Sequence, residues 1–165
     1  MADDVYVLEL DAMQQSAVDL GDPTRLVFDY MRRIGDVIDR LPPGPVRVLH
    51  VGGAAMTLAR YVHATRPRSS QIVLEPSVEI IERVRSEAPL PPRSGIKVRP
   101  VDGKSGIGGV RDGFADMVIL DAFDGGRTPD DLVSAAFIED VRRVLAPSGV
   151  FVANLVDRAP FPQAR

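Results

Sequence analysis

The stretch Val46 to Tyr61, VRVLHVGGAAMTLARY, decides how the rest of the chain is read. A short run rich in β-branched residues passes straight into Gly52-Gly53, and a helical stretch follows from about Ala54 to Thr65. That is the order strand, tight turn, helix. Downstream, QIVLE (Gln71 to Glu75) repeats the strand signature. A periodic segment over Val78, Ile81, Val84 and Arg85 follows it, so that one β-α-β unit of about 30 residues closes.

Working outward, the same alternation continues. IKVRPV (Ile96 to Val101), ADMVILD (Ala115 to Asp121) and VFVANLV (Val150 to Val156) read as strands. Between them lie a glycine-rich segment of weak helical character, Gly103 to Gly113, and a loop holding Gly125, Gly126 and Pro129. A helix over Leu132, Ala136, Ile138, Val141, Val144 and Leu145 then ends at the turn Pro147-Ser148-Gly149. Upstream, an opening strand Val5 to Leu10 leads to Gly21-Asp22-Pro23, where Asp22 is placed to cap a helix and Pro23 to occupy its first turn. Leu26, Tyr30, Ile34, Val37, Ile38 and Leu41 then recur at helical spacing until Pro42-Pro43-Gly44-Pro45 stops them. Strands that are apolar throughout and joined by helices predict a parallel sheet covered on both faces. The expectation is an α/β, doubly wound, mostly parallel fold. It has a short N-terminal β segment over residues 1–22 and a nucleoside-binding domain over residues 23–165.

Composition narrows the function. The chain has 165 residues, 45% hydrophobic and 26% charged, which fits a globular domain with its own core. A net charge of −3 gives no field that would draw the molecule to nucleic acid or to anionic lipid. The absence of cysteine excludes disulfides, thiolate catalysis and cysteine-held metals. The opening MADDVYVLELD is acidic where a secretory leader is basic, and no apolar run is long enough to span a bilayer, so the expected address is cytoplasmic. His50 and His63 sit in unrelated settings and predict no metal site.

In sheets of this kind ligands bind beyond the carboxyl ends of the strands. His50 to Gly53, Glu75, Asp102 with Gly103, and Asp121 to Asp124 all fall at such ends. Gly52 and Gly53 allow the backbone to approach a ligand, and Glu75, 23 residues beyond Gly52, is placed to accept hydrogen bonds from ribose hydroxyls. Two glycines also suffice for a plain strand-to-helix turn, and Glu75 for a solvated strand end. Ala54, Ala55, Met56 and Thr57 stand where a pyrophosphate-binding turn wants further glycine, which disfavours a dinucleotide and favours a sulfonium nucleoside. Asp102 is suited to an adenine amino group or, with Gly103, to a simple turn. Asp121, after four apolar residues, emerges at the crevice, and Asp124 follows in the same loop. Two such carboxylates suit a cationic substrate and its proton.

The order of motifs resembles the spermidine synthases, or polyamine aminopropyltransferases, and especially their spermidine synthase-like bacterial relatives. The segments that carry the likeness cover most of the chain: LELDAMQQS, DPTRLVFDYMRR, VLHVGGAAMTLARY, IVLEPS, VDGKS, VILDAFDGGRTP and VLAPSGVFVANL. The resemblance implies a Rossmann-like fold of the S-adenosylmethionine-dependent methyltransferase type, curtailed here at the C-terminus. It assigns Gly52 and Gly53 to the nucleoside loop, Glu75 to ribose, Asp102 and Gly103 to adenine, and Asp121 to the proton of the attacking amine. Asp124, Gln15 and Tyr30 become substrate-side residues. The implied ligand is decarboxylated S-adenosylmethionine or S-adenosylmethionine, without a metal, and the partners are a small amine or other acceptor and a second copy of the chain. Two departures stand out. The loop GGAAMT lacks the aspartate that family members carry there, and the usual D-S-S-D-P turn reads Asp121-Ala122-Phe123-Asp124-Gly125-Gly126-Arg127. The alternatives are a methyltransferase and a catalytically silent binding or oligomerisation module.

Overall fold

The computed structural model describes residues 5–10 and 13–156. Strands β1 (Val5–Leu10) and β2 (Met13–Asp19) form an antiparallel pair. Then follow α1 (Asp29–Asp39), β3 (Arg47–Val51), α2 (Thr57–Thr65), β4 (Ser70–Leu74), α3 (Val78–Glu87), β5 (Ile96–Arg99), α4 (Gly103–Gly108) and β6 (Ala115–Leu120). A 3-10 turn (Asp130–Val133), α5 (Ala135–Val144) and β7 (Leu145–Ala153) complete the described chain. Strands β3 to β7 pair in parallel in the order β5-β4-β3-β6-β7. From β3 the chain winds outward one way through β4 and β5, then crosses back to β6 on the other side. The order therefore reverses between β3 and β6, where a crevice opens at the strand ends.

The apolar strands are buried on both faces, as their composition predicts. Leu49, Val51, Leu74, Val118 and Leu120 pack against Ile107 of α4 and Phe137, Val141 and Val144 of α5. On the other face Val48, Met117 and Ile119 meet Ile34 and Ile38 of α1 and Leu58 and Val62 of α2. The β1-β2 pair adds a third patch, with Leu8 and Val18 against Met56, Ala59, Val73 and Val84. Full burial of each such side chain is worth about 1.5–3 kcal/mol. Arg60 of α2 and Arg66, its C-cap, tie the neighbouring helices down. Arg60 donates to the carbonyls of Ala88 and Pro89 just after α3, and Arg66 to those of Ile38 and Leu41 at the end of α1. Each guanidinium thus adds donors to carbonyls at or just beyond a helix's C-terminal end.

Several boundaries differ from the sequence expectation. Asp22 caps no helix: its side chain accepts from the Thr24 amide and hydroxyl, and its carbonyl accepts from the Arg25 amide. Asp19 holds the Gly21 and Asp22 amides at 3.0 and 2.9 Å and pairs with Arg25. This local network makes a turn, so the helix waits until Asp29. The buried face of α5 is Phe137, Val141 and Val144, which leaves Ile138 36% exposed. Leu145 opens β7 rather than ending a helix, and Pro147-Ser148-Gly149 lies inside that strand, where its pairing with β6 is irregular.

Candidate functional site

A cavity of about 410 Å³ opens over the carboxyl ends of β3, β4 and β6, a volume suited to one small ligand. Gly52, Gly53, Glu75, Asp102, Gly103, Asp121 and Asp124 all line it. Residues far apart in the chain are thus brought to one rim. Tyr30 reaches the same place by donating its phenol to Asp121 Oδ2 at 3.2 Å. The remaining sequence candidate, Gln15, lies on β2, but its side chain falls outside the described residues.

The glycine turn is locked from three directions. Gly52 has φ +88°, and a Cβ there would stand 2.3 Å from the Asp121 carbonyl oxygen, so only glycine lets β3 and β6 part this closely. A Cβ on Gly53 would meet Val73 Cγ1 at 2.5 Å and the Met56 sulfur at 2.8 Å. Ala54 and Met56 occupy left-handed backbone at φ 43° and 62°, a strain of order 1 kcal/mol or more each. Met56 is buried and fills the space beneath the turn. The third lock is Glu75. Its Oε2 accepts from the amides of Gly53 and Ala54 at 3.2 and 3.1 Å, and its Oε1 from Ser77 at 3.0 Å. The carboxylate is therefore buried and oriented; Oε2 is filled by its two amides, and Oε1 retains a second lone pair for a ligand hydroxyl.

Asp102 caps α4, accepting from the Ser105 amide at 2.8 Å, and that hydrogen bond holds its carboxyl below the usual range. Gly103 lets α4 begin against the sheet, since a Cβ there would stand 2.3 Å from Val51 Cγ1. Asp121 lies half-buried at the reversal point, with Asn154 Nδ2 on Oδ1 at 3.0 Å and Tyr30 on Oδ2. Burial pushes its carboxyl above the usual range, against the lowering effect of those two donors. Burial, and then the neighbouring Asp121 charge, raise the Tyr30 phenol, which stays protonated as a fixed donor.

Beyond Asp121 the wall becomes a loop. Asp124 and Arg127 exchange backbone hydrogen bonds around Gly125 and Gly126, both at positive φ, which is a two-residue reversal of the I′ kind. Arg127 pairs with Asp130 at 2.9 Å and is not part of the cavity wall. Two residues escaped sequence reasoning. Asp131, on the cavity wall in the 3-10 turn, carries only a generic loop signal, and Asn154, which holds Asp121 from behind the wall, is legible only as a polar residue after an apolar strand. With them the electrostatics become clear: Glu75, Asp102, Asp121, Asp124 and Asp131 line the cavity, and among the described residues no lysine or arginine does. Such a wall favours a cation. Among the described residues no group of three or more histidines, aspartates or glutamates is placed to hold a metal ion.

No protein-family model matches the chain. A polyamine aminopropyltransferase from Chromobacterium violaceum is 30% identical over 141 residues, 85% of this chain and 53% of that protein. The crystal structure of a probable spermidine synthase from Corynebacterium glutamicum superposes with a TM-score of 0.87 at 29% identity, covering 98% of this chain and 60% of the other. The chain is a divergent, spermidine synthase-like protein. It spans about half the length of the curated relative, 53%. Its α/β architecture is that of the methyltransferase-type Rossmann folds: human methyltransferase-like protein 13, solved in complex with SAH, shares it at a TM-score of 0.62 and 23% identity, over 79% of this chain and 62% of that one. Within this spermidine synthase-like chain no helix of the described residues is long and apolar enough to cross a membrane.

Proposed function

We propose that the cavity binds decarboxylated S-adenosylmethionine and presents it to a small amine, with Asp121 taking the proton released. The observation that carries this reading is the wall of five carboxylates, to which no lysine or arginine among the described residues contributes, closed at one end by the glycine turn. Gly52, Gly53 and Gly103 give a nucleoside close approach to backbone, Glu75 accepts from its ribose, and Asp102 accepts from its adenine amino group. That the methyltransferase structure was solved with SAH, and that the relatives are aminopropyltransferases, supports an S-adenosyl ligand.

The charge pattern separates the two forms of the ligand. An ammonium about 5 Å from one carboxylate gains about 3 kcal/mol at an effective dielectric of about 20. A ligand that brings a carboxylate of its own loses a comparable amount against the same wall. The decarboxylated, doubly cationic form is therefore preferred over S-adenosylmethionine. In the reaction the neutral amine nitrogen attacks the carbon beside the sulfonium. The new C–N bond forms as the C–S bond breaks, methylthioadenosine leaves as a neutral sulfide, and the surplus proton passes to Asp121. Tyr30 and Asn154 fix the carboxylate for that transfer, while Asp124 faces the amine.

Titration calorimetry with decarboxylated S-adenosylmethionine, S-adenosylmethionine and methylthioadenosine tests the reading. Binding in the order decarboxylated form before S-adenosylmethionine is expected, and no heat from any of the three would end it. Product mass then separates aminopropyl from methyl transfer. The reading extends to a cytoplasmic homodimer paired along β7, an edge strand followed by the exposed Leu155 and Val156. Light scattering that found only monomer would remove the dimer.

A further inference from the structure

His50 stands on β3 two residues before Gly52, is only 3% exposed, and is one of the residues that line the cavity. Its tautomer follows from its neighbour. Gln71 Nε2 donates to the Ala59 carbonyl at 2.9 Å, so the Gln71 oxygen is the atom that meets His50 Nε2 at 2.8 Å. An amide oxygen only accepts, hence Nε2 carries the hydrogen and Nδ1 is a bare acceptor. Burial pushes the imidazole down to about 4, so the ring is neutral at ordinary pH. Among the described residues no donor reaches Nδ1. A buried acceptor without a donor is destabilising, and the carboxylates on the same wall are acceptors too. What this part of the cavity lacks is an N–H or O–H, and a ligand can bring one.

We propose that His50 is a further ligand-binding residue, its Nδ1 accepting an N–H from the ammonium at the end of the sulfonium nucleoside's tail. The inference rests on the nucleoside reading above and adds the residue that fixes the tail. The sulfonium has no hydrogen to give, whereas the ammonium has three, and the adjacent turn Gly52 to Thr57 contains no acid to receive them. A neutral acceptor orients an ammonium without cancelling its charge, so the carboxylates supply the attraction and His50 the direction.

The test uses the unmodified protein labelled with 15N-histidine, whose two histidines give two ring systems, with His63 on α2 as the internal reference. Decarboxylated S-adenosylmethionine is expected to move the His50 Nδ1 resonance upfield, as a newly accepted hydrogen bond does. Methylthioadenosine, which has no ammonium, is expected to bind and leave it in place. Equal shifts with both ligands, or no shift with either while calorimetry shows both bound, overturn the inference. No binding of either ligand instead overturns the nucleoside reading. Replacing the pair, His50→Leu with Gln71→Met, leaves no stranded amide. It is expected to weaken the decarboxylated ligand by about tenfold to a hundredfold and to leave methylthioadenosine nearly unchanged. Equal weakening of both would point to lost packing and overturn the assignment.

Discussion

At the glycine-turn end of the cavity, Glu75 commits both oxygens to the amides of Gly53, Ala54 and Ser77, and the turn is pressed against the backbone of Asp121. At the loop end, Asp124 and Asp131 are exposed, and the chain reverses through Gly125, where an added Cβ would meet nothing within 4 Å. One end is specified by close contact and dense hydrogen bonding; the other by little more than charge. A single scaffold can thus hold one part of a ligand rigidly while the residues that meet its partner vary at small cost to the fold.

Asp121 lies on the seam, and its substitution should show the largest effect. Asp121→Asn keeps an oxygen for one of the two donors but loses the proton acceptor, so amine transfer should fall by about 10²- to 10⁴-fold while calorimetric nucleoside binding persists. Its pH behaviour has a definite sign. Folding raises this carboxyl, so the unfolded chain ionises first. Stability is therefore lost as pH climbs from the ordinary carboxylate value toward the folded one, and turnover, which needs the ionised form, rises through the folded value. Asp121→Asn should remove that loss and leave the melting temperature at neutral pH equal or higher. A large fall in melting temperature would instead assign Asp121 to architecture.

Gly52→Ala comes next, because a positive φ and a 2.3 Å clash with backbone act together. Denaturant titration should show a loss of about 3 kcal/mol or more, or no folded protein. Glu75→Ala strands three amides, with an expected cost of about 2 kcal/mol and loss of nucleoside binding. The smallest effect belongs to Gly125→Ala, where positive φ is the sole penalty: about 1 kcal/mol in denaturant titration, with nucleoside affinity retained. Should Gly125→Ala prove as damaging as Gly52→Ala, the contrast between the two ends would fail.

The sequence carried the parallel sheet because Val46 to Val51, Gln71 to Glu75 and Ala115 to Asp121 are apolar runs of strand length, and burial on both faces leaves such runs few alternatives. It carried the rim for the same reason: once the strands are parallel, Gly52, Glu75, Asp102 and Asp121 must end on one side. What escaped depended on tertiary partners. Strand β2, MQQSAVD, is mostly polar and small and shows itself only through pairing with β1. Phe137 was passed over because Ile138 fits a helical stripe almost as well, and packing alone chose the phase. The link from Tyr30 to Asp121 spans 91 residues, and no local pattern announces it. His50 did leave a trace, a single polar residue in an apolar strand, but its bare nitrogen follows only from how Gln71 is oriented.

The wall of Glu75, Asp102, Asp121, Asp124 and Asp131 has a thermodynamic corollary. So dense a group of negative charges gathers a cloud of sodium or potassium from the medium, and an arriving dication sheds part of that cloud into bulk. Its association constant should accordingly decline steadily as potassium chloride is raised, whereas that of uncharged methylthioadenosine should stay nearly flat.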